Sequence, residues 1–112
     1  MEISDYPADL NQRQYRRMRE ALAGMPAVPT SISIGSLVGT LEALNCALEG
    51  SDAVWRDLFS KGWWVLESAY ALALDQGRTR FSEEELSVLN REVRDLSLLV
   101  AEKIIPETDL AE

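Results

Sequence analysis

Residues 81–106 read FSEEELSVLNREVRDLSLLVAEKIIP, and this stretch decides the fold. Ser82-Glu83-Glu84-Glu85 is a capping box. Its serine hydroxyl is placed to accept from the backbone N–H three residues on, and the Glu85 carboxylate to reach back to the N–H of Ser82. Phe81 and Leu86 stand where a hydrophobic staple fixes the entry of the chain, and acid in the first turn suits the positive end of the helix dipole. Leu86, Leu89, Val93, Leu96, Val100 and Ile104 then recur at helical spacing, while Glu84, Asp95 and Glu102 line the opposite side. Pro106 ends the pattern. A helix over 83–105 with a single apolar stripe has to bury that stripe against other elements.

The preceding segment supplies one. From Asp52, or Ser51, to the stop at Asp75-Gln76-Gly77, the residues Trp55, Leu58, Phe59, Leu66, Ala69, Tyr70 and Ala73 share a face with Gly62. Gly62 either admits a close neighbour or breaks the helix. Trp63 falls at the edge of that face. Trp64 points away from it, beside Asp57, Ser60, Glu67 and Ala71.

A second helix is expected over 34–49, with Ser33 as its cap and Gly50 just past its end. Ile34, Leu37, Leu41, Leu44 and Leu48 form its stripe. Gly39, Ala43, Cys46 and Ala47 lie behind, where small side chains suggest that another helix packs closely and that Cys46 is buried. Residues 25–33, MPAVPTSIS, form the longest connection and are long enough to cross the bundle. A first helix over 8–23 carries Leu10, Tyr15, Met18 and Leu22 on one side and Arg13, Arg16 and Arg17 on the other, and Gly24 stops it. No segment alternates over a length that makes a strand. Residues 1–112 therefore read as one all-α domain, an antiparallel four-helix bundle with a flexible acidic tail over 106–112. A break at Gly62 would make five helices.

Composition excludes several functions. The chain has 112 residues, 19 acidic and 11 basic, for a formal net charge of −8. Such a surface repels nucleic-acid backbones and attracts basic proteins. Arg13, Arg16, Arg17 and Arg19 interleave with Tyr15 and Met18, but Glu2, Asp5, Asp9 and Glu20 balance them, so no nucleic-acid partner is expected. There is no histidine and one cysteine, Cys46. A Ser or Cys nucleophile thus has no histidine base, a carboxylate-bridged metal site lacks its Glu-x-x-His elements, and no internal disulfide can form. No phosphate-binding glycine loop is present, and DQGRTRF has the wrong spacing for a calcium loop. No catalytic residue, metal or cofactor is expected. The opening MEISDYPADL is not a signal peptide, and no run approaches the ~18 apolar residues of a membrane span, so the expected location is cytoplasmic.

What remains is recognition of another protein. Trp buries a large area at small entropic cost and is enriched among binding hot spots. Trp64 with Asp57 and Glu67, and the acidic side chains Glu84, Asp95 and Glu102, are the candidate partner-binding residues.

Two sequence runs carry a resemblance. They are Ser33-Ile34-Gly35-x-Leu37, and the W-x(7)-W-W-x-L-E run from Trp55 to Glu67. With the capped SEEE helix, residues 31–105 resemble small acidic bacterial immunity proteins encoded beside polymorphic or contact-dependent growth inhibition toxins. Ser36 departs from the pattern, since an acidic residue is expected there in the capping box. The resemblance implies an all-helical fold and a cytoplasmic protein that binds a cognate toxin domain, commonly a nuclease, and covers its active site or substrate surface. The alternative is a self-associating structural or adaptor domain, a homodimer without a toxin partner.

Overall fold

The structure, a computed structural model, describes residues 6–50 and 52–105, with side chains from residue 11 onward. The expected acidic tail, the start at Ser51 and the side chain of Leu10 lie outside the described residues. Four α-helices follow in order: α1 Tyr6–Ala23, α2 Ser31–Cys46, α3 Ala53–Asp75 and α4 Glu83–Ala101. Each packs on two others, α1 on α2, α2 on α3, α3 on α4 and α4 on α1, which closes a ring. No strand occurs among the described residues.

Long-range hydrogen bonds fix the direction of each helix. At one end Asn11 of α1 exchanges two bonds with the backbone of Glu49, just after α2. At the same end the indole N–H of Trp55 in α3 donates to the Leu99 carbonyl of α4 at 3.0 Å. At the other end the Ser31 N–H, opening α2, donates to the Thr79 carbonyl in the α3–α4 link. Neighbouring helices are therefore antiparallel, and the link over 24–30 joins adjacent helices without crossing the bundle.

Local chemistry explains the boundaries. In α4 the Ser82 hydroxyl accepts from the Glu85 N–H, and the Glu85 carboxylate accepts from the Ser82 N–H at 2.7 Å. The end of α3 is a Schellman turn: Gly77 has φ +64°, and the Arg78 N–H donates to the Ala73 carbonyl. Gly62 does not break α3. A Cβ there would lie 2.8 Å from Leu96 Cδ2, so α4 seats against a bare glycine and the helix runs through.

Three boundary expectations need correction. Helix α2 begins three residues earlier than expected, because Thr30 is the cap and Ser33 is the third helical residue. Two hydroxyl residues form that capping box, with the Thr30 N–H donating to Ser33 Oγ at 2.8 Å. Ser36 has no part in it. Helix α2 also stops at Cys46 rather than at Glu49. Beyond it, the Arg56 guanidinium takes the Leu48 carbonyl and Asn11 takes Glu49, and these tertiary bonds replace further helical ones. Helix α4 stops at Ala101, short of 105. Gln12, buried in α1, donates to the Lys103 carbonyl at 2.6 Å and accepts from the Ile105 N–H at 2.8 Å.

The core is drawn from all four helices. Tyr15, Met18 and Leu22 meet Ile34, Leu37 and Leu41, Trp55, Phe59, Leu66 and Ala73, and Leu89, Leu96 and Val100. Burying each large side chain contributes about 1.5–3 kcal/mol. Trp55 is the hub. It stacks on Phe59 at 5.2 Å and meets Tyr15 edge-on at 5.4 Å. Of the α4 stripe, Leu86, Val93 and Ile104 are only partly covered.

Two packing expectations also fail. Leu58 is 49% exposed. Contact between α3 and α4 is made at Gly62, and Leu58 stands on the lip beside it. The back of α2 is bare: Gly39, Ala43, Cys46 and Ala47 are exposed, and nothing lies within 4 Å of a Cβ built on Gly39. The close approach to α2 occurs instead at Gly35, under the ring of Tyr70.

Candidate protein-binding surface

Helix α3 is covered on one face by the core and flanked by α2 and α4. Its outward ridge belongs to solvent. Trp64 lies nine residues from Trp55, about half a turn out of phase at 3.6 residues per turn, and so rises from the middle of that ridge. It is 59% exposed.

The neighbour Trp63 holds this ridge in place. Its indole N–H donates to the Val38 carbonyl of α2 at 2.9 Å. The Trp63 and Trp64 rings meet edge to face, with centroids 5.1 Å apart and planes at 79°. Trp64 is thus an exposed aromatic braced by a fixed one. Such rigidity suits an anchor, because little side-chain freedom is left to lose on binding.

A cleft of about 170 Å³ lies between α2 and α3 beside the two tryptophans, with Glu42, Asn45, Cys46 and Ser60 in its walls. Asn45 Oδ1 is buried there and accepts no hydrogen bond. Sequence periodicity did not bring Glu42, Asn45 or Cys46 to this place. It assigns faces to each helix singly, and the small residues of α2 read as buried packing.

The six candidate residues divide among three places. Asp57 and Glu67 share α3 with Trp64. Asp57 is occupied by Lys61, at 3.1 Å and on the surface, so little net charge remains there. The acid facing Trp64 across the cleft is Glu42. Glu84 and Asp95 stand on α4 beside two clefts that open on the opposite flank of α3. Glu102 is the C-cap of α4, beyond both clefts. Trp64 and the α4 acids therefore form two surfaces on either side of one helix.

Two further ion pairs lie elsewhere, Lys103 with Asp52 at 3.8 Å and Arg78 with Glu85. Arg78 grips Glu85 with two N–H groups, each 2.9 Å from a carboxylate oxygen. Those bonds, helped by the Ser82 N–H, pull the Glu85 carboxyl from its ordinary value of 4.5 to about 2. Arg16 donates to the Ile105 carbonyl, while Arg13 and Arg17 are exposed. Among the described residues no cluster of three acidic, His or Cys side chains is arranged to hold a metal, and no helix is long and apolar enough to cross a membrane. Comparison with protein-family models, with curated proteins and with solved structures found no match to this chain.

Proposed function

We propose that this protein is an immunity protein: it binds a cognate bacterial toxin domain in the cytoplasm, a basic nuclease, and covers its active site or substrate surface. It acts by binding and catalyses nothing. The observation that carries this reading is the exposed Trp64, braced by Trp63 on a chain of net charge −8. An aromatic anchor supplies affinity once it is desolvated in a partner's pocket. The acidic field supplies fast encounter with a basic surface and rejection of other acidic proteins. The resemblance of residues 31–105 to small acidic immunity proteins points the same way.

Growth tests this proposal. Expression of the toxin domain encoded beside the gene should arrest a host cell, and co-expression of this protein should restore growth. Co-expression of the Trp64→Ala variant should restore it poorly. Arrest that wild-type protein does not relieve would remove the toxin role.

One observation favours a second reading, self-association. The outward side of α2 presents Ile32, Ser36, Gly39, Ala43 and Cys46, small or apolar and uncovered. Two such faces would allow close helix approach. Light scattering decides between the two readings, with a monomer free in solution favouring the toxin-binding role.

A further inference from the structure

The flank of α3 away from Trp63 carries an apolar groove that no part of the described chain fills. Two clefts of about 330 and 360 Å³ follow each other between α3 and α4. The floor is made of small and buried residues: Gly62 and Ala69 from α3, Leu89 and Leu96 from α4. Along the α3 lip stand Leu58, Val65 and Leu72, one every seven residues. Leu58 and Leu72 are about half exposed. A seven-residue repeat keeps side chains on one seam, the pattern by which a helix receives another helix. From Leu58 to Leu72 the seam runs about 21 Å at 1.5 Å per residue, the length of a partner helix of about four turns.

The opposite lip gives the charge of the occupant. Glu84, Glu92 and Asp95 line it and have no ion-pair partner among the described residues. Lys61, the basic residue at the groove, is held by Asp57. Arg91, one helical turn from Asp95 on the same face of α4, offsets one of these three acids and leaves the lip with acid in excess. A second copy of this chain would set one acidic lip against another, with −8 on each molecule. We propose that the α3–α4 groove docks an amphipathic helix of another protein, its apolar stripe on Leu58, Val65 and Leu72 and its basic border on Glu84, Glu92 and Asp95. This site is separate from the Trp64 ridge, and its occupancy does not depend on what Trp64 binds.

A synthetic peptide of roughly 18 residues, about five helical turns, tests it directly. Leu is placed at helical spacing on one face and Lys along the borders, and a control peptide carries Glu in place of Lys. Each is titrated into isotope-labelled full-length protein and followed by amide shifts. The Lys peptide should saturate with shifts centred on Leu58, Val65, Leu72, Val88 and Asp95, and should leave the Trp64 indole unmoved. Leu58→Ser with Leu72→Ser should weaken it roughly tenfold, as loss of central apolar contacts does. Glu84→Lys with Asp95→Lys changes only exposed groups, so it folds even if the serine variant does not. It should weaken the Lys peptide roughly tenfold and strengthen the Glu peptide. Equal binding of the two peptides, shifts centred on Trp64, no saturable binding, or unaltered affinity in the charge variant would each overturn the proposal.

Discussion

The indole N–H of Trp63 donates to the backbone carbonyl of Val38 at 2.9 Å, and this bond between α3 and α2 sets where Trp64 stands. The two rings are adjacent in sequence and touch edge to face. One is tied into the bundle and the other is offered to solvent. Replacing Trp63 by Phe removes the donor and some buried area. It should lower stability by about 1–2 kcal/mol, measured by denaturant unfolding. It should also free the Trp64 ring, seen as a loss of fluorescence anisotropy at that ring in a variant where Trp55 is Phe. Unchanged stability would mean that the bond does not hold the ridge.

The glycines of α2 and α3 separate packed from open faces. A methyl group on Gly62 would meet the buried Leu96 and the Glu92 carboxylate. Gly62→Ala should therefore destabilise by about 1–2 kcal/mol, overpacking outweighing the gain of about 1 kcal/mol in helix propensity. Gly39→Ala meets nothing and should stabilise by about 0.5–1 kcal/mol. Thermal melts of the two variants should move in opposite directions. A destabilised Gly39→Ala would indicate that this face is covered in solution.

Cys46 was expected to be buried, and the structure exposes it. A thiol reagent added to the folded protein should label it about as fast as in denaturant, since access is the same. Cys46→Ser should leave stability within about 0.5 kcal/mol, as for surface substitutions generally. Slow labelling that speeds up on dilution would reveal a dimer through α2.

The charge on Glu85 predicts a pH dependence. Its folded carboxyl lies near 2, below the ordinary 4.5, because Arg78 and the Ser82 N–H bind the ionised form. A depressed carboxyl stabilises the fold fully above about pH 4.5, and the contribution fades as pH falls through about 2. Glu85→Gln keeps a capping-box side chain and removes the charge. The gap in thermal midpoint between wild type and variant should be widest above about pH 4.5 and close on acidification. A constant gap would assign the effect of Glu85 to packing.

The sequence made some of this legible and hid the rest for physical reasons. The start of α4 was readable because Ser82, Glu85, Phe81 and Leu86 lie within six residues and act locally. So was the outward direction of Trp64, which follows from helical phase alone. The start of α2 was misplaced because Thr30 and Ser33 form a capping box from two hydroxyls, without the usual Glu or Gln. The ends of α2 and α4 depend on Asn11 and Gln12, which lie 38 and 91 residues from the backbone they bind, and on Arg56, which reaches back across the link from the next helix. Phase gives each helix a face but not its neighbours. That is why Gly39 rather than Gly35 was expected to be the close contact, and why Glu42 was not placed opposite Trp64.

Trp64 as the anchor for a basic partner is tested most directly by a pull-down from the native organism, with tagged wild type and Trp64→Ala compared side by side. Mass spectrometry with wild type should recover one basic toxin-like polypeptide in a one-to-one ratio. The variant, folded by circular dichroism and melting within a few degrees of wild type, should lose it. Recovery of the same polypeptide by both proteins, or of nothing but copies of the bait, would contradict the toxin-binding role of Trp64.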